Sequence, residues 1–443
     1  MFAGDWMSRI SLVAPTTLTA AYVVAGVLVL ILLSRPRKRS RSWWRDVIIG
    51  VVLGAAIGGT AIWIVGDVLN EFDVPPTWVD RIWTSVMVAG VCLGVVNLLF
   101  APWGRKIVAI VGIAAVVVAG GLAINRDVGE YQTLAQAVGT NQSGPLDLPK
   151  PKNAADTTFD PALYATWKAP AIMPRRGRVG SVDIPPTLSH FAARGALVYL
   201  PPAALVASAP ALPVVILLSG QPGSPSSVMT SGKVPSILNA FARKHHGLAP
   251  IVVVPDQLGA SSANPMCVNG ALGNSATYLL EDVPNWIRTH LHVASSRQAW
   301  AVGGFSQGAT CSIQFATEHP DLFGSFIDVS GQQYPTLSTD AEAIQDGFRG
   351  SAKAFEAAKP ATAMREHEPY TDTVALFAAG ENDATYRHNM TIMSDLAQKA
   401  GIKVTRYISP GSAHDWTTAS NGFAAGFGLL YPRLGLSKSV LTP

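Results

Sequence analysis

Four apolar stretches in the first 124 residues constrain this chain more than any other feature. They run over about Leu12–Leu33, Val47–Leu69, Ile82–Phe100 and Ile107–Ile124. Each is close to the roughly 20 residues that a helix needs to cross a bilayer. No Asp, Glu, Lys, Arg or His lies deep inside any of them. In lipid a segment of this kind must satisfy its own backbone, and four in succession predict four spanning helices. Three more follow the first stretch and no small-residue cleavage site stands out, so it reads as a span and not as a signal peptide.

The charge around these stretches orients them. Ser34–Arg45 carries six positive charges and no acid, and Arg105 and Lys106 lie between the third and fourth stretches. The loop between the second and third holds Asp67, Glu71, Asp73 and Asp80 against Arg81 alone. Excess Lys and Arg mark cytoplasmic loops, so the sequence predicts basic loops inside and everything after Asn125 outside. Trp43, Trp44, Trp78, Trp83 and Trp103 fit interfacial anchors or packing residues. Gly50, Gly54 and Gly58, and again Gly90 and Gly94, form small-xxx-small steps that let helices approach closely. Without buried ionisable groups the spans read as a compact anchor and not as a transport path. The net charge of +4, from 33 basic and 29 acidic residues, is too small and too localised to suggest nucleic-acid binding.

At 443 residues the chain exceeds one typical domain. We expect spans over 1–124, an extracytoplasmic tether and N-terminal flap over 125–176, and a second domain over 177–443. In that last part strands alternate with helices. Strands are expected at Val179–Ile184, Gly195–Leu200, Val214–Leu218, Ile251–Val254, Gln298–Gly303, Phe326–Val329, Val374–Ala378 and Lys403–Ile408. Helices are expected at Val234–Lys244, Thr277–His290, from Gln307 onward, and at Asn389–Gly401. This alternation implies a mostly parallel sheet covered on both faces, with functional groups beyond the strand C-termini.

The pentapeptide Gly304-Phe305-Ser306-Gln307-Gly308 falls between a strand and a helix, the context of a nucleophile elbow. Small residues must flank a serine in so sharp a turn, and its hydroxyl is left exposed at the sheet edge. The chain order for such a site is Ser, then acid, then His. His414, in the Gly-containing loop just past the last strand, is the candidate base; the other eight histidines occupy helix ends or earlier loops. Asp383, three residues past the turn glycine Gly380, is the favoured acid, with Glu381 its rival and Asp328 third. The backbone amide of Gln307 at a helix N-terminus, and that of Gln221 in the loop after Val214–Leu218, are candidates for an oxyanion hole. Cys267 and Cys311 form an even pair in an oxidising compartment and are expected to bridge, while Cys92 inside the third span reads as packing. No His/Cys/Asp cluster has metal-ligand spacing, so no metal or cofactor is expected.

Leu217–Gln221, Gly304–Gly308, Gly380–Asp383 and Gly411–Trp416 resemble the motifs of esterase D-type α/β hydrolases, a family that includes the mycolyltransferases of the mycobacterial cell envelope. The resemblance covers about Gly177 to Tyr431, with its motifs in the right order. It implies an α/β-hydrolase domain and an acyl-ester substrate, with Ser306 as acyl acceptor. The mycolyltransferases use a glutamate as the acid, which keeps Glu381 in play. The expected activity is that of a membrane-anchored serine esterase acting on lipid or cell-envelope acyl esters. An acyltransferase, a serine peptidase of related fold and an inactive binding or assembly domain are the alternatives.

Overall fold

The computed structural model describes residues 6–34, 43–69, 76–100, 102–138, 143–148 and 157–440. Residues 35–42, which carry most of the basic loop, and Glu71 and Asp73 of the acidic loop lie outside the described residues. The chain divides into two compact units, Met1–Asn141 and Gln142–Pro443.

Among its described residues the first unit holds four helices long and apolar enough to cross a membrane: α1 Pro15–Leu33, α2 Trp43–Trp63, α3 Trp78–Phe100 and α4 Trp103–Val128. A π-helical turn, Ile64–Val68, continues α2. Three of the helices begin at a tryptophan, so they start four residues earlier than the apolar stretches alone suggest. The reason is that a helix continues through interfacial residues for as long as its backbone has no better partner. The C-terminus of α4 is set by Gly129, whose left-handed φ of 78° lets its N–H return to the carbonyl of Asn125 at 2.7 Å.

Large apolar side chains such as Leu30, Val52, Ile57 and Ile110 face outward from the bundle, the inverse of a water-soluble protein and the arrangement a lipid solvent favours. The expected glycine contacts are present. A Cβ on Gly54 would lie 2.8 Å from the Cα of Ala89 in α3, and Gly94 of α3 abuts Ile113 of α4. Of the five tryptophans, Trp78 and Trp103 stand out from the bundle, whereas Trp43 is buried with the Arg105 guanidinium 5.6 Å from its ring. That guanidinium also donates to the Ile31 and Leu32 carbonyls at 2.7 and 2.9 Å, capping the C-terminus of α1.

The second unit is built on an eight-stranded sheet. Its strands are β1 Arg178–Val182, β2 Ala196–Leu200, β3 Val214–Leu218, β4 Ile251–Val254, β5 Trp300–Phe305, β6 Ser325–Val329, β7 Val374–Gly380 and β8 Lys403–Ser409. The spatial order is β1-β2-β4-β3-β5-β6-β7-β8. The β1–β2 and β2–β4 pairs are antiparallel and every other pair is parallel. Each residue of β2 to β6 is buried, as near-continuous apolar runs covered on both faces require. The principal helices are α5 Val234–Lys244, α6 Val283–His290, α7 Gln307–Glu318, α8 Ala384–Lys399 and α9 Trp416–Arg433.

Two boundaries differ from the sequence reading in ways that matter. Arg297–Ala299 is a short 3-10 turn, so β5 starts at Trp300 and runs through Phe305 to the serine itself. Helix α8 starts at Ala384 and not at Asn389, because Asp383 caps it: its Oδ1 accepts the Tyr386 N–H at 3.0 Å. A capping carboxylate satisfies one of the orphan amides of the first turn and favours the positive end of the helix dipole.

In this sheet β3 lies beside β5, and the chain leaves β3 towards β4 on one side but leaves β5 towards β6 on the other. The C-terminal ends of β3 and β5 therefore border a crevice at a topological switch point.

Candidate active site

Ser306 lies at the end of β5 in the register Leu218↔Gly304↔Asp328 across the three central strands. Its backbone has φ 56° and ψ −119°, a conformation a side chain rarely adopts, and its N–H donates to the Val329 carbonyl at 2.9 Å. The two glycines make this turn possible by absence of side chain. A Cβ on Gly308 would press on the carbonyls of Ser219 and Leu218, and one on Gly304 would meet the backbone of Gly308 and, at 2.8 Å, the nitrogen of Ala309. Strand β5 can turn this tightly into α7, and α7 can lie this close to β3, only with glycine at both positions.

His414 comes to the serine from the other side. The ends of β7 and β8 are tied together: Glu381 N–H donates to Ser409 O at 2.9 Å and Asn382 N–H to Ser412 O at 2.8 Å. The loop 410–415 folds back over Gly380, where any Cβ would collide with the Ala413 carbonyl. Ser412 fixes the loop from beneath through Ser409 and Thr418, and Asp415 caps α9 through the Thr418 N–H at 2.8 Å. The imidazole is held between aromatic rings, with Phe305 4.9 Å and Tyr386 4.1 Å away between centroids.

The result is a hydrogen-bonded series. Ser306 Oγ and His414 Nε2 are 2.8 Å apart, and His414 Nδ1 and Asp383 Oδ2 are 3.2 Å apart. Asp383 is buried, and its other oxygen is already occupied as the cap of α8. Glu381 is not hydrogen-bonded to the imidazole; its Oε2 accepts the Gly411 N–H at 2.7 Å and braces the histidine loop. Asp328 is buried beneath the site, where its Oδ1 accepts the Gly331 N–H at 2.9 Å. Burial pushes this carboxyl up to about 7, partly opposed by that hydrogen bond. A hydroxyl, an imidazole and a carboxylate in this order can transfer a proton from the serine to the imidazole while the carboxylate keeps the ring in the right tautomer.

Gln307 opens α7, so its N–H has no intrahelical carbonyl to reach. The loop carrying Gln221 approaches the serine closely, since a Cβ on Gly220 would lie 3.4 Å from that of Ser306. This loop is tied to the segment after β4, with Gln221 Nε2 donating to Ser262 O at 2.9 Å and Gly223 N–H to Ser261 O at 3.0 Å. Beneath it a bidentate pair joins Arg194 to Asp256 at 2.7 and 2.9 Å, and the same guanidinium donates to the Gly223 carbonyl at 3.0 Å. Cys267 and Cys311 are joined in a disulfide with Cα atoms 5.6 Å apart. It fastens the segment after β4 to α7. Among the described residues no group of His, Cys, Asp and Glu could hold a metal ion.

Residues 192–427, more than half of the chain, match the family model named Esterase. The chain belongs to the Esterase family. As a member of that family it is an enzyme of the serine-hydrolase class. It is also similar to an uncharacterized protein of Corynebacterium glutamicum, 31% identical over an alignment of 418 residues that covers 90% of this chain and 92% of the relative. That share is larger than the esterase unit alone, so the likeness reaches into the apolar helices. Among solved structures, a ferulic acid esterase covers 58% of this chain and 99% of its own at 14% identity, with a TM-score of 0.48. The S-formylglutathione hydrolase of Agrobacterium tumefaciens covers 59% and 97% at 18% identity and 0.48. MPT51 of Mycobacterium tuberculosis covers 58% and 99% at 18% identity and 0.43.

The esterase unit also contains polar residues that the motif reading passed over. Arg194, Asp256, Gln257 and Asn264 carry no motif, and Tyr386 reads only as a helix residue. The available signal was position: Asp256 and Gln257 directly follow the C-terminal end of a parallel strand, where functional groups collect.

Proposed function

We propose that this Esterase-family enzyme is a membrane-anchored, extracytoplasmic serine esterase that cleaves lipid or cell-envelope acyl esters through an acyl-enzyme. The observation that carries the catalytic part is the series Ser306–His414–Asp383, at 2.8 and 3.2 Å. Ser306 Oγ attacks the ester carbonyl carbon while His414 Nε2 takes its proton, and Asp383 stabilises the imidazolium. The amides of Gln307 and Gln221 hold the oxyanion, each worth about 3 kcal/mol of transition-state stabilisation. The intermediate collapses with His414 returning the proton to the departing alcohol, which leaves an acyl-Ser306 ester. An incoming water or hydroxyl then gives its proton to His414 as it attacks the acyl carbon, and His414 passes that proton to the departing Ser306 Oγ, which restores the serine hydroxyl.

The membrane part rests on the four apolar helices, and the sidedness on the basic residues at 35–45 and at Arg105 and Lys106. An enzyme held at a bilayer meets lipid-borne esters at high local concentration, which supports that substrate class. The test uses the full chain in detergent with p-nitrophenyl butyrate and a fluorophosphonate probe. Hydrolysis and labelling are expected, and both vanish in Ser306→Ala. Labelling that survives in that variant would remove Ser306 as nucleophile. Failure of the wild-type chain both to hydrolyse and to label would end the enzymatic mechanism. Comparing envelope lipids of a strain lacking the protein with its parent identifies the acyl ester and whether water or a hydroxyl receives the acyl group.

A further inference from the structure

We propose that Gln257 is a positioning residue that sets the separation between the two backbone amides of the oxyanion hole. The proposal rests on the reading of Ser306 as nucleophile. Gln257 follows β4 and is fully buried. Its amide nitrogen donates to the carbonyl of Ser219 at 2.6 Å and lies 3.2 Å from both Ser219 Oγ and Gln307 Oε1. Ser219 begins the loop that presents the Gln221 amide, and Gln307 presents the other. One side chain thus touches both halves of the hole and neither reacting atom.

The orientation of this amide follows from its neighbours. Turned over, its oxygen would face a carbonyl oxygen at 2.6 Å, acceptor against acceptor. As it stands, Gln257 Oε1 is buried without a partner among the described residues. A buried acceptor left unmade works against stability, so packing alone would favour an apolar side chain of the same shape here. Gln307 is held from its far side as well, its Nε2 donating to Asn264 Oδ1 at 3.2 Å and lying 3.8 Å from the disulfide sulfur of Cys267. The chain of contacts therefore runs from the Ser219 carbonyl through Gln257 and Gln307 to the disulfide that fastens α7. An asparagine, one methylene shorter, cannot span the same gap.

Gln257→Leu and Gln257→Met keep the volume and remove the donor. In the full chain in detergent, kcat on p-nitrophenyl butyrate is expected to fall about 100-fold with KM within about twofold, as misplacement of one oxyanion donor predicts. The inhibition constant of a trifluoromethyl ketone of matching acyl length, which adds to the serine and places an oxyanion in the hole, is expected to weaken by the same factor. Removal of the unpaired Oε1 offsets the loss of the donor to the Ser219 carbonyl, so the thermal midpoint should change little, whereas a merely structural role would show as a kcat loss that follows a lowered midpoint. Two variants are used so that one that fails to fold leaves the other. Unchanged kcat and ketone affinity in a folded variant would overturn the proposal, as would a kcat loss with unchanged ketone affinity or one that tracks a lowered midpoint. A wild-type chain that neither hydrolyses the ester nor labels with fluorophosphonate would instead overturn the reading of Ser306, and this proposal with it.

Discussion

Two carboxylates stand in the loop after β7, and exchanging each for its amide separates their roles sharply. In Asp383→Asn the side chain keeps its place, because its oxygen is still needed by the Tyr386 N–H, 3.0 Å from Oδ1. The NH2 group must then occupy the Oδ2 position, 3.2 Å from His414 Nδ1. A donor there forces Nδ1 to accept, which moves the ring proton to Nε2, 2.8 Å from Ser306 Oγ. The imidazole then points a proton at the hydroxyl it should deprotonate. A wrong tautomer of this kind costs about 10⁴-fold in kcat, or about 5.5 kcal/mol of transition-state stabilisation.

Glu381→Gln makes a different change. The Gly411 N–H needs only an acceptor at 2.7 Å, and the glutamine oxygen supplies one. A charge-assisted bond becomes a neutral one at an exposed position, so activity should fall less than about tenfold. The assay is kcat/KM on p-nitrophenyl butyrate at pH 8, normalised to folded protein by its thermal transition. A larger loss in Glu381→Gln than in Asp383→Asn would refute the assignment of the acid and the tautomer argument together.

Three further outcomes are expected. Gly308→Ala puts a Cβ against the Ser219 and Leu218 carbonyls, so the elbow must shift at a cost of roughly 1–3 kcal/mol; activity should fall at least 100-fold, and a fully active Gly308→Ala would contradict the close approach of α7 to β3. Reducing the Cys267–Cys311 disulfide, whose cysteines are 44 residues apart, should lower stability by about 4 kcal/mol through loop-closure entropy; scanning calorimetry with and without reductant reads this as a lower midpoint. Asp328 binds its proton more tightly folded than unfolded, with a value of about 7 against an ordinary value near 4. Its contribution is therefore fully present below about pH 4 and lost as pH rises towards 7, a span of about 4 kcal/mol at most. Asp328→Asn, which keeps an acceptor for Gly331, should flatten that part of the stability curve and be the more stable protein above pH 7.

The fold was legible wherever a local pattern reports burial. Val214–Leu218 and Ile251–Val254 are continuous β-branched and aliphatic runs, and they form the buried parallel strands such runs predict. The apolar stretches likewise form four long helices, since a stretch without charges has few other stable forms in lipid. Errors fell at boundaries. The start of α8 carries no pattern, because Ala384–His388 lacks an apolar period and what begins the helix is a single capping bond from Asp383. Trp43 sits at a helix end like Trp78, yet the side of the helix it occupies buries it against Arg105.

By itself the sequence determined the two-part organisation, the mostly parallel sheet and the serine in its strand–turn–helix context, because each is written in contiguous residues. Only the tertiary structure decided which groups meet. Ser306 and His414 are 108 positions apart, and His414 and Asp383 are 31 apart. Glu381 and Asp383 look alike in the chain, and a difference of two residues at a strand end sends one to the imidazole and the other to the Gly411 amide. Gln257 carries no pattern at all, and its place between the loop after β3 and the start of α7 exists only because β4 and β5 both flank β3. Spacing along a chain records local geometry, whereas hydrogen bonds across a sheet depend on strand order, and no local propensity encodes that order.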